Sequence, residues 1–166
     1  MAPNSHQEAR LRKAVLSLAK ETEFGKRMVN AGRLSVPTTY ASALSTEDAE
    51  EWRGGPCPGA SMLDAPLAGR EGQSAFLTDA FAATGQRFTL LQFGDGSDVD
   101  APEGVGVISV GGEGCCTDPQ GLAVTRYDAG PGAAYLLRPD GYVAARFRHP
   151  TRPTLEAALA RASGLN

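Results

Sequence analysis

The alternation of apolar and polar residues is most regular near the C-terminal end of the chain. Two apolar runs, 133–137 and 142–147, flank the segment Arg138-Pro139-Asp140-Gly141. Proline presets the backbone for a turn and glycine supplies the positive φ that closes it, so this pattern predicts a β-hairpin. The first arm is apolar throughout, which predicts a strand covered on both faces. The second arm alternates, which predicts a half-exposed strand at the edge of a sheet.

A helix is predicted directly after the hairpin. Pro153 suits a first helical turn, because proline has no N–H to leave unpaired there. Four apolar residues then recur with the i, i+3, i+4, i+7 spacing of one helix face. These residues are Leu155, Ala158, Leu159 and Ala162.

The middle of the chain predicts two buried strands, at 87–93 and 105–110, because both segments are short, apolar and rich in β-formers. A short helix is predicted at 73–83, and 121–127 fits either a short helix or a strand. The order strand, crossover, strand, crossover, hairpin and helix predicts an α/β fold with a mixed sheet flanked by helices on both faces. Hairpin and terminal helix are how a thioredoxin-like domain ends, so we expect a fold of that type.

The N-terminal part of the chain predicts a helix over residues 8–30. Leu11, Val15 and Leu18 share one face of it. Burying such side chains is worth on the order of 1.5–3 kcal/mol each, so we expect this face to be covered. A second copy of the chain is the partner that we predict for it.

An extended connector is predicted between this helix and the thioredoxin-like unit. Prolines and glycines recur up to residue 68, so we expect little regular structure there except one helical turn at 45–52. We therefore divide the chain into residues 1–68, the helix and connector, and residues 69–166, the thioredoxin-like domain.

Length and charge narrow the class of protein. With 166 residues the chain is one domain, or one small domain with an appendage. A net charge of −3 argues against a nucleic-acid partner, since phosphate-binding domains usually carry a basic surplus. No apolar run approaches the roughly 20 residues of a membrane span, and the three cysteines lack the spacing of a disulfide framework. We expect a cytoplasmic protein without a membrane partner.

Thiol chemistry is the first activity that a thioredoxin-like fold suggests. Redox members carry Cys-x-x-Cys, or one low-pKa cysteine, in the turn after the first central strand. Here that turn is 94–97 and holds no sulfur. Cys115 and Cys116 follow the second strand, and adjacent cysteines close a disulfide only through a strained ring. A small thiol oxidoreductase using Cys115 and Cys116 stays an alternative, and we interpret Cys57 as incidental.

Metal, nucleotide and hydrolase motifs are incomplete. The two histidines, His6 and His149, have no second ligand at a metal-binding spacing. The segment 104–109 lacks the third glycine of a dinucleotide fingerprint, and no Gly-x-Ser-x-Gly elbow is present. We therefore assign no catalytic, cofactor-binding or metal-binding residue. One acidic loop without calcium-site spacing is interpreted as solvated; its residues are Asp95, Asp98, Asp100 and Glu103.

Several strings resemble consecutive markers of one family, in order and at sensible spacing over nearly the whole chain. The strings begin with Met28-Val29-Asn30-Ala31-Gly32-Arg33-Leu34-Ser35, Trp52-Arg53-Gly54-Gly55-Pro56 and Asp64-Ala65-Pro66-Leu67. They continue with Phe88-Thr89-Leu90-Leu91-Gln92-Phe93-Gly94 and Tyr135-Leu136-Leu137-Arg138-Pro139-Asp140-Gly141-Tyr142-Val143-Ala144-Ala145-Arg146. Together they resemble the C-terminal region of FAD-dependent aromatic hydroxylases, the group A flavoprotein monooxygenases of the phenol hydroxylase and hydroxyphenylpropionate hydroxylase type.

The resemblance implies a function for a longer relative. Family members use NAD(P)H to reduce FAD and insert one oxygen atom of O2 into an aromatic ring, with their cofactor motifs in a large N-terminal part. None of those motifs is present here, so FAD and NAD(P)H are implied for a full-length relative and no cofactor for this chain alone. What corresponds is the last helix of the FAD-binding body, the connector and a thioredoxin-like C-terminal domain without redox cysteines. That domain is credited in the family with stability or subunit contacts.

We accordingly expect a non-catalytic module that acts in docking, stability or dimerisation. Its N-terminal helix is expected to self-associate or to dock to an FAD-binding domain. A further alternative is a module that binds an aromatic ligand through Trp52 or Tyr135.

Overall fold

The computed structural model describes residues 6–22, 37–69, 74–94, 99–111 and 116–165, and the chain divides into two compact units, 1–36 and 37–166. The described part of the first unit is helix α1 (His6–Glu21). It confirms the predicted helix up to Glu21; the remainder of the prediction, 23–30, lies outside the described residues. Among the described residues, no helix is both long enough and apolar enough to span a membrane.

The second unit is built on a mixed seven-stranded sheet, counted over the described residues. Its order is β2-β1-β5-β4-β3-β6-β7, with β3 parallel to β4, β4 parallel to β5, and the other neighbours antiparallel. The strands are β1 (Pro66–Gly69), β2 (Ser74–Phe76), β3 (Thr89–Phe93), β4 (Gly106–Val110), β5 (Cys116–Thr117), β6 (Ala134–Leu137) and β7 (Val143–Phe147). The helices are α2 (Leu77–Ala82), α3 (Leu122–Arg126) and α4 (Arg152–Ala162).

Helices cover both faces of this sheet, as predicted. Every residue of β3 and of β6 is buried, because each of these two adjacent strands lies between two other strands of the sheet. Leu91 and Tyr135 belong to the core cluster that includes residues of α2 and α3. Leu136, on the opposite face, packs in the cluster of α4. The α/β class and the mixed sheet expected from the element order are confirmed.

The C-terminal hairpin and helix form where the sequence predicts them. The Gly141 N–H donates to the Arg138 carbonyl oxygen at 2.9 Å, and Gly141 has the positive φ (81°) that the turn requires. In α4, Pro153 lies in the first turn and the Thr151 side chain caps the N-terminus. Leu155, Ala158 and Ala162 are buried on its inner face; Leu159 is only partly buried.

Strand β7 lies at the edge of the sheet, as predicted, but the expectation that it is half exposed is wrong. Residues Val143 to Arg146 are all buried. The connector runs along this edge and satisfies its backbone: the Thr46 N–H donates to the Ala144 carbonyl at 2.8 Å, and the Val143 N–H donates to the Ala60 carbonyl at 2.9 Å. The polar-looking face of β7 is therefore covered by the chain's own connector.

The connector contains no helix over residues 37–65, so the helical turn predicted at 45–52 is wrong. Its backbone is hydrogen-bonded to β7, and just after that strand the Arg148 N–H donates to Glu50 Oε2 at 2.7 Å. A helical turn would withdraw these groups from the strand. The connector packs with the sheet in the unit 37–166, whereas the sequence groups it with the N-terminal helix and divides the chain at residue 68.

Two further segments differ in detail from expectation. The segment predicted as a helix at 73–83 begins as strand β2, because Ser74 and Ala75 pair with Ala68 and Leu67 of β1, and only then continues as α2. The segment 121–127, which fits helix or strand, contains helix α3.

Candidate functional site

The most elaborate cluster of polar and aromatic side chains joins the connector to β6 and β7. Trp52 of the connector lies edge-on to Tyr135, with ring centroids 5.5 Å apart. The guanidinium carbons of Arg146 and Arg148 lie 4.5 and 3.7 Å from the centroid of the Trp52 ring, within the range of cation–π attraction. The two arginines come together because they lie two residues apart in one extended segment, which places them on the same side. We call the set Asp48, Trp52, Asp128, Arg146 and Arg148 the connector clamp.

Arg146 is the buried centre of the clamp, with 6% of its side chain exposed. Its Nε and Nη2 donate to the two carboxylate oxygens of Asp48 at 2.8 and 2.6 Å, and Nη1 donates to the Gly54 carbonyl at 2.9 Å. Burial lowers the pKa of Arg146, but the hydrogen bonds and the charge of Asp48 outweigh burial and raise it. The guanidinium therefore stays charged and is fully used by protein partners.

Arg148 forms the second half of the clamp. Its Nη2 donates to Asp128 Oδ2 at 2.7 Å, and Nη1 donates to the Asp128 carbonyl. Asp128 also accepts the backbone N–H of Arg53 at 2.9 Å. The hydrogen bond from Arg148, followed by that from Arg53, lowers the pKa of Asp128. The carboxylate thus ties the connector to the loop before β6.

Two tyrosines below Trp52 continue this arrangement into the core. The Tyr135 hydroxyl donates to the Tyr127 carbonyl, and the Tyr127 hydroxyl donates to the Leu63 carbonyl at 2.7 Å. Both tyrosines are fully buried. Burial raises the pKa of Tyr135 to about 12 and that of Tyr127 still further. Both side chains act as neutral hydrogen-bond donors that anchor the core and the connector.

Gly55 explains part of the glycine-rich string in the connector. Its φ is +74°, and a Cβ there would lie 2.6 Å from both the Tyr127 carbonyl oxygen and the Tyr135 hydroxyl. Only glycine permits this close approach of the connector to the tyrosines. The marker strings 52–56 and 135–146 are therefore in direct contact, whereas the string 28–35 lies outside the described residues.

Trp52 of the clamp lies against Tyr135, and these are the two residues that the sequence suggests for an aromatic ligand. Both rings are already occupied by protein groups: Arg146 and Arg148 lie over Trp52, and Tyr135 is buried beneath it. A ligand would have to displace an ion-paired guanidinium. Sequence reasoning did not single out Tyr127, Asp48 or Asp128, because their roles depend on residues far away along the chain.

The structure describes two of the three cysteines, Cys57 and Cys116. Cys116 is buried in β5, paired in register with Val110 of β4 and Gly69 of β1, and it belongs to the main core cluster. A buried thiol has little access to a disulfide substrate. Cys57 is partly buried in the connector, and Cys115 lies outside the described residues.

Among the residues considered for metal binding, the structure describes the surroundings of Asp100, Glu103 and His149. Asp100 pairs with Arg152 at 2.7 Å, Glu103 is exposed, and Asp95 and Asp98 lie outside the described residues. His149 is exposed after β7. Within the part of the chain that the structure describes, no group of three or more potential metal ligands occurs.

Comparison with known families agrees with this architecture. The model of the family described as "Aromatic-ring hydroxylase, C-terminal" matches residues 55–165, so the chain belongs to that family. The matched range begins at Gly55 and contains the tyrosine pair, the hairpin and α4. No curated protein matches the chain.

Solved structures of flavin enzymes share the fold. The flavin-dependent monooxygenase PieE, solved with FAD and substrate, is 25% identical with a TM-score of 0.61, over 98% of this chain and 31% of PieE. Aklavinone-11 hydroxylase, solved with FAD and aklavinone, is 28% identical with a TM-score of 0.61, over 76% of this chain and 26% of the enzyme. RebC, at 20% identity and a TM-score of 0.53, shows the fold alone. The chain spans less than a third of the length of these proteins.

Proposed function

We propose that this chain is the thioredoxin-like C-terminal module of an FAD-dependent aromatic-ring monooxygenase and acts in docking, stability or dimerisation rather than in the chemical step. One observation carries the proposal: almost all of this chain, but only 31% of PieE, takes part in the structural match. The remaining two thirds of such an enzyme would hold FAD, receive the hydride of NAD(P)H and bind the aromatic substrate.

The side chains of the clamp support a structural role. Each of its charged groups pairs with another protein group, and the buried tyrosines donate to backbone carbonyls. A catalytic site needs groups left available to a substrate, with pKa values poised near the working pH. The tyrosines instead have pKa values at or above about 12.

Helices α2 and α3 lack the features of a site for the pyrophosphate of FAD. A dinucleotide site needs a glycine-rich turn that leads from a strand into a helix with unpaired amides at its N-terminus. Helix α2 follows Phe76 directly, without a glycine. At α3 the Asp118 carboxylate already accepts the N–H groups of Leu122 and Val124 at 3.0 Å each. FAD binding is therefore proposed for the full-length relative only.

The experiment is a test of flavin binding by the chain alone. The purified chain is mixed with excess FAD, separated by gel filtration and scanned in the visible range, with PieE as the positive control. Colourless protein is expected. A flavin band near about 450 nm that co-elutes with the chain would overturn the proposal, because the isoalloxazine ring is its only source.

The same preparation tests the thiol alternative. Replacing Cys115 and Cys116 by Ser is expected to leave insulin-disulfide reduction at the background rate of the unsubstituted chain, because the Cys116 thiol is buried in the core. Loss of a measurable activity in that variant would favour a thiol oxidoreductase. We propose the cytoplasm as the compartment, supported by three cysteines that lack a disulfide framework.

A further inference from the structure

Charge is distributed unevenly between the two units. Residues 1–36 hold seven Lys or Arg against three Asp or Glu, a net charge of +4. Residues 37–166 hold nine against sixteen, a net charge of −7. A basic segment and an acidic body in one chain attract each other, both within a chain and between copies.

Helix α1 is suited to bind in a groove. Leu11, Val15 and Leu18 lie at i, i+4 and i+7, the anchor spacing of helices that dock in apolar grooves. All three are exposed, and Leu11 is 66% exposed. The basic side chains of Arg10 and Lys13 are also exposed on this helix.

A groove of matching chemistry lies at the C-terminal end of α4. Its volume is about 350 Å³, and it is lined by apolar side chains with two carboxylates beside them. Leu165 is 77% exposed, the most exposed of the large apolar residues described, and Leu11 is second. The lining of this groove, which we call the α4 groove, includes Phe88, Glu103, Val105, Glu156, Leu159 and Leu165.

The position of Leu165 is held by the end of α4. Its N–H donates to the Ala160 carbonyl at 2.9 Å, and the Gly164 N–H donates to the Arg161 carbonyl at 3.0 Å. Together with the positive φ of Gly164 (69°), these bonds form a Schellman motif, which usually covers its apolar residue with a contact. Here Leu165 instead remains exposed at the groove, although its backbone is anchored.

We propose that the α4 groove receives helix α1 of a second copy of this chain. Leu11, Val15 and Leu18 would enter the groove, and the basic side chains of α1 would face Glu103. Glu156, the second carboxylate at the groove, already pairs with Arg152 at 2.8 Å. Each copy has one helix and one groove, so reciprocal exchange fills both at once and closes a two-fold dimer. This inference rests on the proposed function and names the surface that its dimerisation would use.

Oligomeric mass and directed crosslinking test the proposal. Sedimentation of the full chain at about 100 µM is expected to give a dimer. For crosslinking, chains carrying Leu11→Cys are mixed with chains carrying Leu165→Cys and oxidised. A covalent heterodimer is expected. Leu11→Cys mixed with Val124→Cys is the matched control, because Val124 is exposed at 41% but lies outside the groove; it also measures crosslinking by the native cysteines.

Charge reversal tests the electrostatic part without disturbing the core, since Glu103 and Arg10 are both exposed. Glu103→Lys is expected to weaken the dimer at least tenfold, and adding Arg10→Glu to restore much of that loss. A gain on combining two weakening substitutions is specific to a contact between them.

Each contrary outcome overturns the inference. A monomer at about 100 µM excludes self-association of this strength. Equal crosslinking to Leu165→Cys and Val124→Cys excludes the groove, and a homodimer of Leu11→Cys alone shows helix-to-helix pairing instead. A disulfide within one chain carrying both substitutions shows that the helix binds its own groove. A monomer would remove dimerisation from the proposed roles, whereas the assignment as a non-catalytic module is decided separately, by the FAD-binding and insulin-reduction tests.

Discussion

Removing the Asp48 carboxylate is the most direct test of the connector clamp. In Asp48→Ala the guanidinium of Arg146, whose side chain is only 6% exposed in the parent chain, loses two short hydrogen bonds and its counter-charge. The Gly54 carbonyl and the ring of Trp52 would remain as its neighbours. Neither carries a negative charge, so the variant leaves a cation buried without its partner.

The magnitude follows from the burial of the two partners. Removing one partner of a fully buried ion pair costs about 3–5 kcal/mol, and an exposed pair contributes about 0–1 kcal/mol. Arg146 is nearly buried, but Asp48 is 27% exposed, so water can partly replace the carboxylate. We therefore expect Asp48→Ala to lower the free energy of unfolding by about 2–3 kcal/mol, and Tm by about 4–12 °C.

Urea denaturation followed by tryptophan fluorescence measures this change, because Trp52 is the single tryptophan and lies within the clamp. Asp100→Ala is the matched control: it also removes an aspartate 2.7 Å from an arginine, but Asp100 is 84% exposed. The control is expected to stay within about 0.5 kcal/mol of the parent chain.

A second variant separates a buried charge from a lost contact. If the cost arises from the unpaired cation, adding Arg146→Met to Asp48→Ala should recover part of the stability, because the charge is removed with its partner. The reasoning is refuted if Asp48→Ala behaves like Asp100→Ala. It is also refuted if the double variant is less stable than Asp48→Ala.

Three further predictions concern the groups around the clamp. Arg148 lowers the pKa of Asp128, so the stability that Asp128 contributes is present above about pH 4 and is lost below it. Asp128→Asn should therefore flatten the acid limb, the part of the stability profile in which the free energy of unfolding falls as the pH is lowered. Burial raises the pKa of Tyr135 to about 12. The stability that the neutral hydroxyl contributes is therefore complete below about pH 10 and is lost as pH rises to about 12. Tyr135→Phe should abolish this loss and should lower the free energy of unfolding at neutral pH by about 1–2 kcal/mol. Gly55→Ala should cost about 1–3 kcal/mol more than Gly104→Ala, since both positions have positive φ but only a Cβ at Gly55 meets neighbouring atoms.

Urea denaturation at a series of pH values measures the first two effects, and at neutral pH the third. An acid limb of unchanged slope in Asp128→Asn would contradict the assigned pKa shift. An unchanged alkaline limb in Tyr135→Phe would do the same for the buried hydroxyl. Equal costs for the two glycine substitutions would mean that backbone conformation, and not the close approach to the tyrosines, decides the effect.

Local chemistry made the hairpin and its helix predictable. Pro139 and Gly141 specify the turn through their own backbone preferences, and Pro153 starts α4 in the same way. The helix spacing identified the buried face of α4 because periodicity is a property of neighbouring residues. Strand β3 is buried throughout, as its short apolar run predicts. The prediction that β4 is buried is wrong in part, because Val107 is 45% exposed.

Long-range contacts account for the errors. The exposure of β7 was misjudged because Arg146 looks like a surface residue until Asp48, almost a hundred positions away, is placed against it. The connector looked able to form a helical turn, but its polar groups bond to a strand that comes much later in the chain. The same holds for the candidate site: Trp52 and Tyr135 were noticed as aromatic residues, but not that arginines occupy the tryptophan ring.

By itself the sequence predicted β3, β4, the hairpin with its turn, the terminal helix and the likeness to the aromatic hydroxylases, because each depends on residue types at short spacing. The short strands β1, β2 and β5 were not predicted. Only the tertiary structure decided that the connector belongs with the sheet and that Arg146, Arg148, Asp48 and Asp128 form one clamp. Such pairs depend on where the backbone brings distant residues together. Burial then raises the strength of their interaction well above what the same charges would have in water.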